Sequence, residues 1–208
     1  MTGSFVGRRF DAAALVMLSQ LERGRSVVTL PLVWIYRVTD QQDVIDADVT
    51  RWAEMLWVSD RNRMLGRLLY AFPEFRSVYY HRLLQGNPTG ALLARLARLA
   101  WKGIPGLDMS NTEIGPGLFV SHGQATVLSA ERIGANLQVH QGVTVGWDYQ
   151  GDRRPIIGDN VFIGAGAKIL GAVTVGDGAR IGANAVVVRD VPAGATAVGV
   201  PARIVAAP

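Results

Sequence analysis

The stretch from Ile157 to Val187 reads IGDNVFIGAGAKILGAVTVGDGARIGANAVV, and it repeats a pattern every six residues. An aliphatic side chain opens each group of six, at Ile157, Ile163, Ile169, Val175, Ile181 and Val187. The same spacing occurs upstream at Val127, Ile133, Val139 and Val145. A period of six fits neither an α-helix nor the two-residue alternation of a simple strand. It predicts a solenoid of short strands joined by tight turns, with one inward-pointing aliphatic side chain per group.

Small residues occupy fixed positions in the same pattern. Glycine directly follows the aliphatic residue at Gly134, Gly146, Gly158, Gly164, Gly176 and Gly182. Four positions after the aliphatic residue, the side chain is small or aliphatic at Val143, Val161, Ala167, Val173, Ala179 and Ala185. Glycine suits the corners of a solenoid because it accepts backbone angles that a Cβ resists. Each stacked aliphatic side chain would contribute roughly 1.5–3 kcal/mol by its burial. The sequence therefore predicts a parallel β-helix.

The glycine content separates this half of the chain from the first half. Residues 1–102 hold six of the 24 glycines, and residues 103–208 hold the other eighteen. Apolar residues with helical spacing predict four helices in the first half, at 41–57, 61–72, 74–84 and 89–102. In the first of these, Val44, Asp48, Trp52 and Leu56 share one face. The range 27–38 is compatible with a strand or a helix. We predict an α+β chain with an α-helical domain at 1–103 and a β-helix domain at 104–208.

Composition excludes several classes of protein. Of the 208 residues, 49% are hydrophobic and 18% are charged, as is typical of a folded globular protein. Because the sequence has no cysteine, it offers no disulfide, zinc–thiolate site, iron–sulfur cluster or thiol nucleophile. The longest apolar run, Val27–Tyr36, contains Pro31 and is about half as long as a membrane span. We expect a cytoplasmic protein without a signal peptide or a membrane span.

The net charge of +4 is unevenly distributed along the chain. Residues 1–102 carry 14 Lys and Arg against 9 Asp and Glu, whereas residues 103–208 carry 7 against 8. The surplus is spread thinly along predicted helices, and no aromatic residues alternate with the basic ones. We therefore expect no nucleic-acid partner.

Five motifs narrow the interpretation further: Ile114–His122 (IGPGLFVSH), Gly142–Gly146 (GVTVG), Gly151–Pro155 (GDRRP), Ile163–Ile169 (IGAGAKI) and Gly199–Ile204 (GVPARI). In this order they resemble the hexapeptide-repeat acyltransferases, and within them the serine O-acetyltransferase branch and its relatives that acetylate sugars of polysaccharides. The resemblance spans about residues 106–205. It implies a left-handed parallel β-helix, acetyl-CoA as the acetyl donor and a hydroxyl group as the acceptor. It also implies a homotrimer with active sites between neighbouring β-helices, and serine acetyltransferases of this branch also pair trimers through their helical domains.

The resemblance assigns the catalytic base to His122. An alcohol is a poor nucleophile at neutral pH, and an imidazole is suited to remove its proton. The chain has two other histidines, His81 and His140. A carboxylate that orients the imidazole is expected at Asp108, with Glu113 as the alternative, since the segment before His122 is one residue shorter than in the serine-specific enzymes. Asp108 is also compatible with a purely structural role, capping the turn into the first repeat.

The acceptor-binding residues are expected at Ser121, Arg153 and Arg154. The two arginines lie in a segment, 147–155, that lacks the repeated aliphatic residue and is predicted to be a loop. Adjacent guanidinium groups favour an anionic acceptor. In the serine-specific enzymes an Asp that binds the substrate amine stands where this chain has Ser121, and a His stands at Arg154. Serine or a serine-like small molecule is the first-choice acceptor, and a sugar or polysaccharide hydroxyl is the alternative.

The resemblance also assigns the donor site. It points to the backbone at Gly146, Ala165 and Ala183 along the pantetheine arm of acetyl-CoA. Lys168 and Arg203 are the candidate cations for the phosphates of coenzyme A, and ordinary surface cations are the alternative interpretation of both.

Two further alternatives remain open at this point. His140 follows His122 by 18 residues, which invites comparison with the zinc site of γ-class carbonic anhydrases. That site needs three histidines, and the third one here, His81, lies in the helical half, so no metal is expected. A β-helix that only trimerises, without catalysis, is the other alternative.

Overall fold

The computed structural model describes residues 26–59, 63–109, 112–148 and 153–205. Within them a short 3-10 helix (Ser26–Thr29) is followed by five α-helices, α1 (Leu30–Val38), α2 (Gln42–Met55), α3 (Met64–Ala71), α4 (Pro73–Gln85) and α5 (Pro88–Ala100). None of the helices in these ranges is long and apolar enough to cross a membrane.

The four predicted helices are confirmed as α2 to α5, with ends that differ by a few residues. The ambiguous range 27–38 is mostly helical, and Pro31 lies in the first turn of α1, where a missing N–H costs nothing. The helices share an aromatic core around Trp52, whose ring lies 5.6 Å from Phe72 and 5.3 Å from Phe75 between centroids. The same ring lies 4.8 Å from Phe119 of the following β-helix, so the two halves of the chain pack against each other.

The second half is the predicted left-handed parallel β-helix of about four turns. The described residues contain fifteen short strands: β1 (Leu107–Asp108), β2 (Glu113–Ile114), β3 (Phe119–Ser121), β4 (Thr126–Leu128), β5 (Arg132–Ile133), β6 (Gln138–His140), β7 (Thr144–Gly146), β8 (Ile156–Ile157), β9 (Phe162–Ile163), β10 (Lys168–Leu170), β11 (Thr174–Val175), β12 (Arg180–Ile181), β13 (Val186–Val187), β14 (Thr196–Val198) and β15 (Arg203–Val205). The first fourteen form three parallel faces, here called A, B and C, whose strand orders are β1-β4-β7-β10-β13, β2-β5-β8-β11 and β3-β6-β9-β12-β14. The last strand, β15, joins face C antiparallel to β14.

The repeated aliphatic side chains stack inside this coil, one row per face. On face B, Ile133 lies opposite Ile157, which in turn lies opposite Val175. Face C has the same arrangement at Val139, Ile163 and Ile181. All of these side chains are fully buried or nearly so, which confirms the inner ladder that the sequence predicts.

One predicted ladder residue is wrong. Val127 is only partly buried, whereas its neighbour Leu128 is fully buried and lies opposite Val145. Eight positions separate the buried Val120 from Leu128 instead of six, so the turn after β3, which carries His122, contains two additional residues. The next corner is one residue shorter than the period, because five positions separate Leu128 from Ile133. The inward position therefore falls one residue after the one that the spacing predicts.

Positions 149–152 of the predicted loop at 147–155 lie outside the described residues, and the ladder register shows that six residues are inserted between β7 and β8. Val139 and Ile163 lie opposite each other although they are 24 residues apart, whereas Ile163 and Ile181 are 18 apart. The chain leaves face A at Gly146 and reaches face B only at Ile156. Because the insertion is six residues long, the sequence period continues through it unchanged.

Helices α2 and α4 close the open end of the β-helix through a buried ion pair. Arg82 and Asp48 are both 1% exposed, and Arg82 Nε donates to Asp48 Oδ2 over 2.9 Å. Burial raises the pKa of the Asp48 carboxyl, and the Arg82 guanidinium and two backbone N–H donors oppose the rise. Both side chains also bind the backbone of the first coil, at residues 114–118.

Candidate active site

His122 directly follows β3, at the corner between faces C and A of the first coil. Its backbone has a φ of 65°, in the left-handed region, and Gly123 and Ala125 also have positive φ values. A non-glycine residue rarely adopts this conformation, and such strain concentrates at functional sites. The turn is held by Gln124 N–H, which donates to His122 O over 2.7 Å. The His122 side chain is exposed, so this turn presents an imidazole to the outside of the coil.

His140 lies on the adjacent coil, beside the turn that carries His122. In the parallel ladder Ser121 is the direct partner of His140, which puts the two histidines one register position from each other. The His140 ring is half-buried against Phe162, with 5.3 Å between ring centroids. Burial lowers the pKa of His140, and the nearby His122 lowers it further. Both effects favour the neutral form of His140 beside His122.

Asp108 lies on β1 opposite Val127, with an exposed side chain. Glu113 lies on β2 of face B, also exposed, opposite Arg132 in the ladder. The two carboxylates are therefore on different faces of the coil, and Asp108 shares face A with the strand that follows the His122 turn. Which of them orients His122 stays a prediction.

Asp108 also lines a cavity of about 800 Å³ between α4, α5 and the start of the β-helix. The cavity is lined by Ser77, Tyr80, His81, Leu84, Gln85, Arg98, Lys102, Gly103, Ile104, Pro105, Leu107, Asp108 and Met109. Its wall reaches the turn that carries His122, because Ile104 and Leu107 lie beside Gly123. Burial, followed by the charge of Arg82, lowers the pKa of His81 to about 4. His81 is therefore a neutral side chain in this wall.

The residues assigned to the donor lie along the later coils. Gly146 ends β7, and a Cβ there would have no neighbour within 4 Å in the described residues, so open space adjoins its backbone. Ala165 and Ala183 lie in corresponding turns of successive coils, joined where Asn184 N–H donates to Ala165 O over 2.8 Å. Ala165 and Ala183 therefore lie on consecutive coils at the corner between faces C and A, whereas Gly146 lies at the other end of face A, opposite Leu170.

The two cations assigned to coenzyme A phosphates differ in their surroundings. Lys168 Nζ donates to Gly142 O over 2.5 Å and to Thr144 Oγ1 over 3.1 Å, so its ammonium group is directed onto the preceding coil. Arg203 is exposed on β15. Both assignments stay predictions.

The inserted loop carries Arg153 and Arg154 between faces A and B. Arg153 is exposed, and the guanidinium carbon of Arg154 lies 5.8 Å from the centre of the Trp147 ring. Stacking on an indole orients a guanidinium. No group of three His, Asp or Glu side chains within the described ranges is arranged to hold a metal ion.

Sequence reasoning missed the polar residues that contact the first coil, Asp48, Arg82 and Trp52. One signal was present, because Asp48 shares a helix face with Val44, Trp52 and Leu56, and a carboxylate on an apolar face needs a buried partner. Arg82 carried no such signal, since its partners, the Asp48 carboxylate and two backbone carbonyls, are all more than 30 residues away.

Comparisons with known proteins match this geometry. The family described as bacterial transferase hexapeptide (six repeats) matches residues 154–189. A serine acetyltransferase of Helicobacter pylori (strain J99) is 44% identical over 117 residues, which cover 54% of this chain and 66% of that protein. This chain thus spans slightly less than two thirds of that relative.

Two solved structures extend the match into the helical half. Soybean serine acetyltransferase complexed with serine has a TM-score of 0.62 and 33% identity, covering 79% of this chain and 69% of that one. Serine acetyltransferase of Brucella abortus in complex with coenzyme A has a TM-score of 0.66 and 27% identity, covering 95% of this chain and 83% of that one. With these repeats, this fold and this similarity, the chain belongs to the serine acetyltransferase family of hexapeptide-repeat proteins.

Proposed function

We propose that this protein transfers the acetyl group of acetyl-CoA to the hydroxyl group of serine or a serine-like small molecule. The observation that carries the proposal is the imidazole of His122, exposed on a strained turn of a β-helix whose relatives include enzymes solved with serine and with coenzyme A. The donor and the acceptor would bind together, because the chain has no cysteine to form an acyl-enzyme intermediate.

In the proposed reaction His122 acts as the general base. Its imidazole removes the proton from the acceptor hydroxyl as the hydroxyl oxygen attacks the carbonyl carbon of the thioester. The tetrahedral intermediate then collapses, the carbon–sulfur bond breaks, and the imidazolium returns the proton to the sulfur of coenzyme A. A backbone N–H near Gly146 would stabilise the oxyanion of that intermediate.

Two other residues would affect proton transfer to His122. Asp108, or Glu113 in its place, would accept a hydrogen bond from the ring of His122 and stabilise its charged form. The lowered pKa of His140 favours its neutral form, in which it adds no positive charge that would oppose protonation of His122.

The acceptor would be held by Ser121, Arg153 and Arg154. The arginines suit the carboxylate of an amino acid, with Arg154 oriented by Trp147. The second candidate function is acetylation of a sugar or polysaccharide hydroxyl. Ser121 favours it, because an uncharged residue stands where the serine-specific enzymes carry the Asp that pairs with the substrate amine.

The donor would lie along Gly146, Ala165 and Ala183, with Lys168 and Arg203 near its phosphates. Small residues on consecutive turns leave room for the pantetheine arm, as the open space beside Gly146 illustrates. A cytoplasmic location, expected from the sequence, agrees with a donor that carries coenzyme A.

The active site would be completed by a second subunit of a homotrimer. The His122 side chain is exposed on the described chain, and a reaction that must exclude water needs a wall opposite it.

A dimer of trimers would use the helices, where Leu92, Leu96 and Leu99 form an exposed apolar stripe on α5. Analytical ultracentrifugation should give the mass of a trimer or a hexamer, and a monomer at assay concentration would contradict this part of the proposal.

A screen of acceptors tests the proposed reaction. Purified protein would be incubated with acetyl-CoA and with L-serine, serine methyl ester, homoserine or hexoses, and free thiol would be followed by a colorimetric reagent. We expect thiol release that requires L-serine, with O-acetylserine identified by NMR. Release with hexoses alone would support the sugar function, and no release with any acceptor would favour a non-catalytic scaffold.

A further inference from the structure

The first coil of the β-helix has no preceding coil to bind its backbone. Side chains of the helical half bind the backbone groups that a preceding coil would bind. In the interior, each coil donates N–H groups to carbonyls of the next, as Gly115 N–H does to Ile133 O and Phe119 N–H does to Leu137 O. Within the first coil, Ile114 O and Leu118 O hold the positions equivalent to those two carbonyls, 19 residues earlier.

Three buried side chains supply the missing partners. Arg82 Nη1 donates to Ile114 O, and Trp52 Nε1 donates to Leu118 O over 2.8 Å.

Asp48 binds the N–H groups of the same corner. Gly117 N–H donates to Asp48 Oδ1 over 2.8 Å. The corresponding N–H in the next coil, that of Asn136, donates to Pro116 O of the first coil. Leu118 N–H also donates to Asp48 Oδ1, over 2.9 Å, and Arg82 Nη2 adds a bond to Gly115 O over 2.8 Å. Helices α2 and α4 thus bind this corner as another coil would.

This corner leads directly to His122. Three residues separate Leu118 from His122, and they are the three residues of β3. One side of β3 pairs with β6, while on the other side the Trp52 ring packs against Phe119. The strained backbone of His122 needs its flanking strand to be fixed, because a strained conformation persists only when the surrounding structure imposes it.

We propose that Asp48, Arg82 and Trp52 are positioning residues for His122, which they hold through the turn at 114–118 and strand β3. The expected loss of kcat rests on the proposed function, whereas the expected displacement of the His122 side chain does not. The ion pair spans two helices and the first coil, so it couples the helical half to the orientation of the base.

Trp52→Phe is the most informative variant. It keeps an aromatic ring in the core and removes the hydrogen bond to Leu118 O, whereas Asp48→Asn would leave the Arg82 charge buried without its partner and endanger folding. Tyr79→Phe is the matched control, since it removes a buried hydrogen bond of 2.7 Å to Leu32 O within the helices, away from the coil. Both variants would be compared at equal folded fraction.

Two measurements separate positioning from general stability. With three histidines in the chain, the imidazole signals in a carbon–proton NMR spectrum are assignable, and His122→Asn identifies that of His122. We expect Trp52→Phe to shift or broaden the His122 signal and to lower kcat about tenfold at unchanged KM for both substrates. Tyr79→Phe should leave the signal and kcat unchanged.

An unchanged His122 signal in Trp52→Phe, or equal losses of kcat in Trp52→Phe and Tyr79→Phe, would overturn the positioning role. If Trp52→Phe shifts the His122 signal but the wild-type protein transfers no acetyl group, the positioning role is supported and the proposed function is overturned instead.

Discussion

The turn that carries His122 combines three features at the scale of single residues. It contains two more residues than a regular corner, its backbone enters the left-handed region at His122 and Ala125, and together with the shorter corner before Ile133 it places Leu128 rather than Val127 in the interior. A regular six-residue corner would keep the ladder in phase. The extra residues therefore extend the chain outward at the point where the imidazole is needed.

Substitutions at Val127 and Leu128 test this register. Leu128→Ala should lower the free energy of unfolding by about 2–5 kcal/mol, because it leaves a cavity in the ladder. Val127→Ala, at the partly exposed neighbour, should cost less than half as much. Urea denaturation followed by circular dichroism measures both, and a larger loss for Val127→Ala would contradict the register.

His81 gives the helical half a dependence of stability on pH. Its buried Nε2 has no hydrogen-bond partner among the described residues, and its pKa is lowered to about 4, against 6.5 for a free histidine. Between these two values His81 binds a proton more readily in the unfolded chain than in the folded one. The contribution of neutral His81 to the free energy of unfolding is therefore complete above pH 6.5 and is lost as the pH falls toward 4. The charged groups nearby are Arg82 on the same helix and Arg98, Lys102 and Asp108 around the cavity.

His81→Leu should remove this dependence. Between pH 7.5 and pH 5 the wild type should lose stability relative to the variant by an amount of the order of 1 kcal/mol. Urea titrations of both proteins at the two pH values provide the comparison. An equal loss in wild type and variant would show that His81 does not titrate as the structure requires.

At the scale of elements, the strands were predictable and the corners were not. Aliphatic residues such as Ile163 and Ile181 obey the six-residue period because each faces the same interior, so the sequence records their burial directly. The missing aliphatic residue at 147–155 predicts a loop, but the six-residue length of the insertion preserves the period, so the sequence does not reveal that a repeat has been inserted. The helices followed from their apolar spacing, with Pro73 and Pro88 marking two starts.

The candidate site was predictable to a different degree. His122 follows a motif within one coil, so its exposure on a turn agrees with the sequence. The contacts of Asp48 and Arg82 with residues 114–118 join segments more than 30 positions apart, and no local pattern encodes them. The partner of Asp108 depends on the geometry of the same corner, where the segment length departs from that of the serine-specific enzymes.

The inserted loop should govern affinity for the acceptor. Arg153→Ala and Arg154→Ala should each raise KM for L-serine about tenfold or more, because each removes a charge-assisted hydrogen bond to a carboxylate. KM for acetyl-CoA should stay unchanged, and Arg132→Ala, on β5 of face B, is the control for the loss of a surface charge. Unchanged KM for the acceptor in both variants would contradict an anionic acceptor bound by this loop.

At the scale of the whole molecule, the two halves form one structure around the first coil. The helices bind the backbone at 114–118, and the His122 turn projects from the same coil on the side where the cavity lined by Asp108 begins. The later coils carry the residues assigned to the donor. His122, Ala165 and Ala183 lie along the corner between faces C and A, and the loop with Arg153 and Arg154 lies at the other side of face A, so a neighbouring subunit would complete the site.

Turnover by His122→Asn is the most direct test of the central claim, that this imidazole removes the proton from the acceptor. Asparagine tolerates the left-handed backbone of this turn better than most residues, so the variant should fold and melt like the wild type. Gln124→Ala, an exposed position in the same turn, controls for disturbance of the turn itself. We predict that His122→Asn lowers kcat for serine acetylation by about 10²–10⁴-fold while Gln124→Ala retains it. Wild-type turnover in a folded His122→Asn protein would contradict the account.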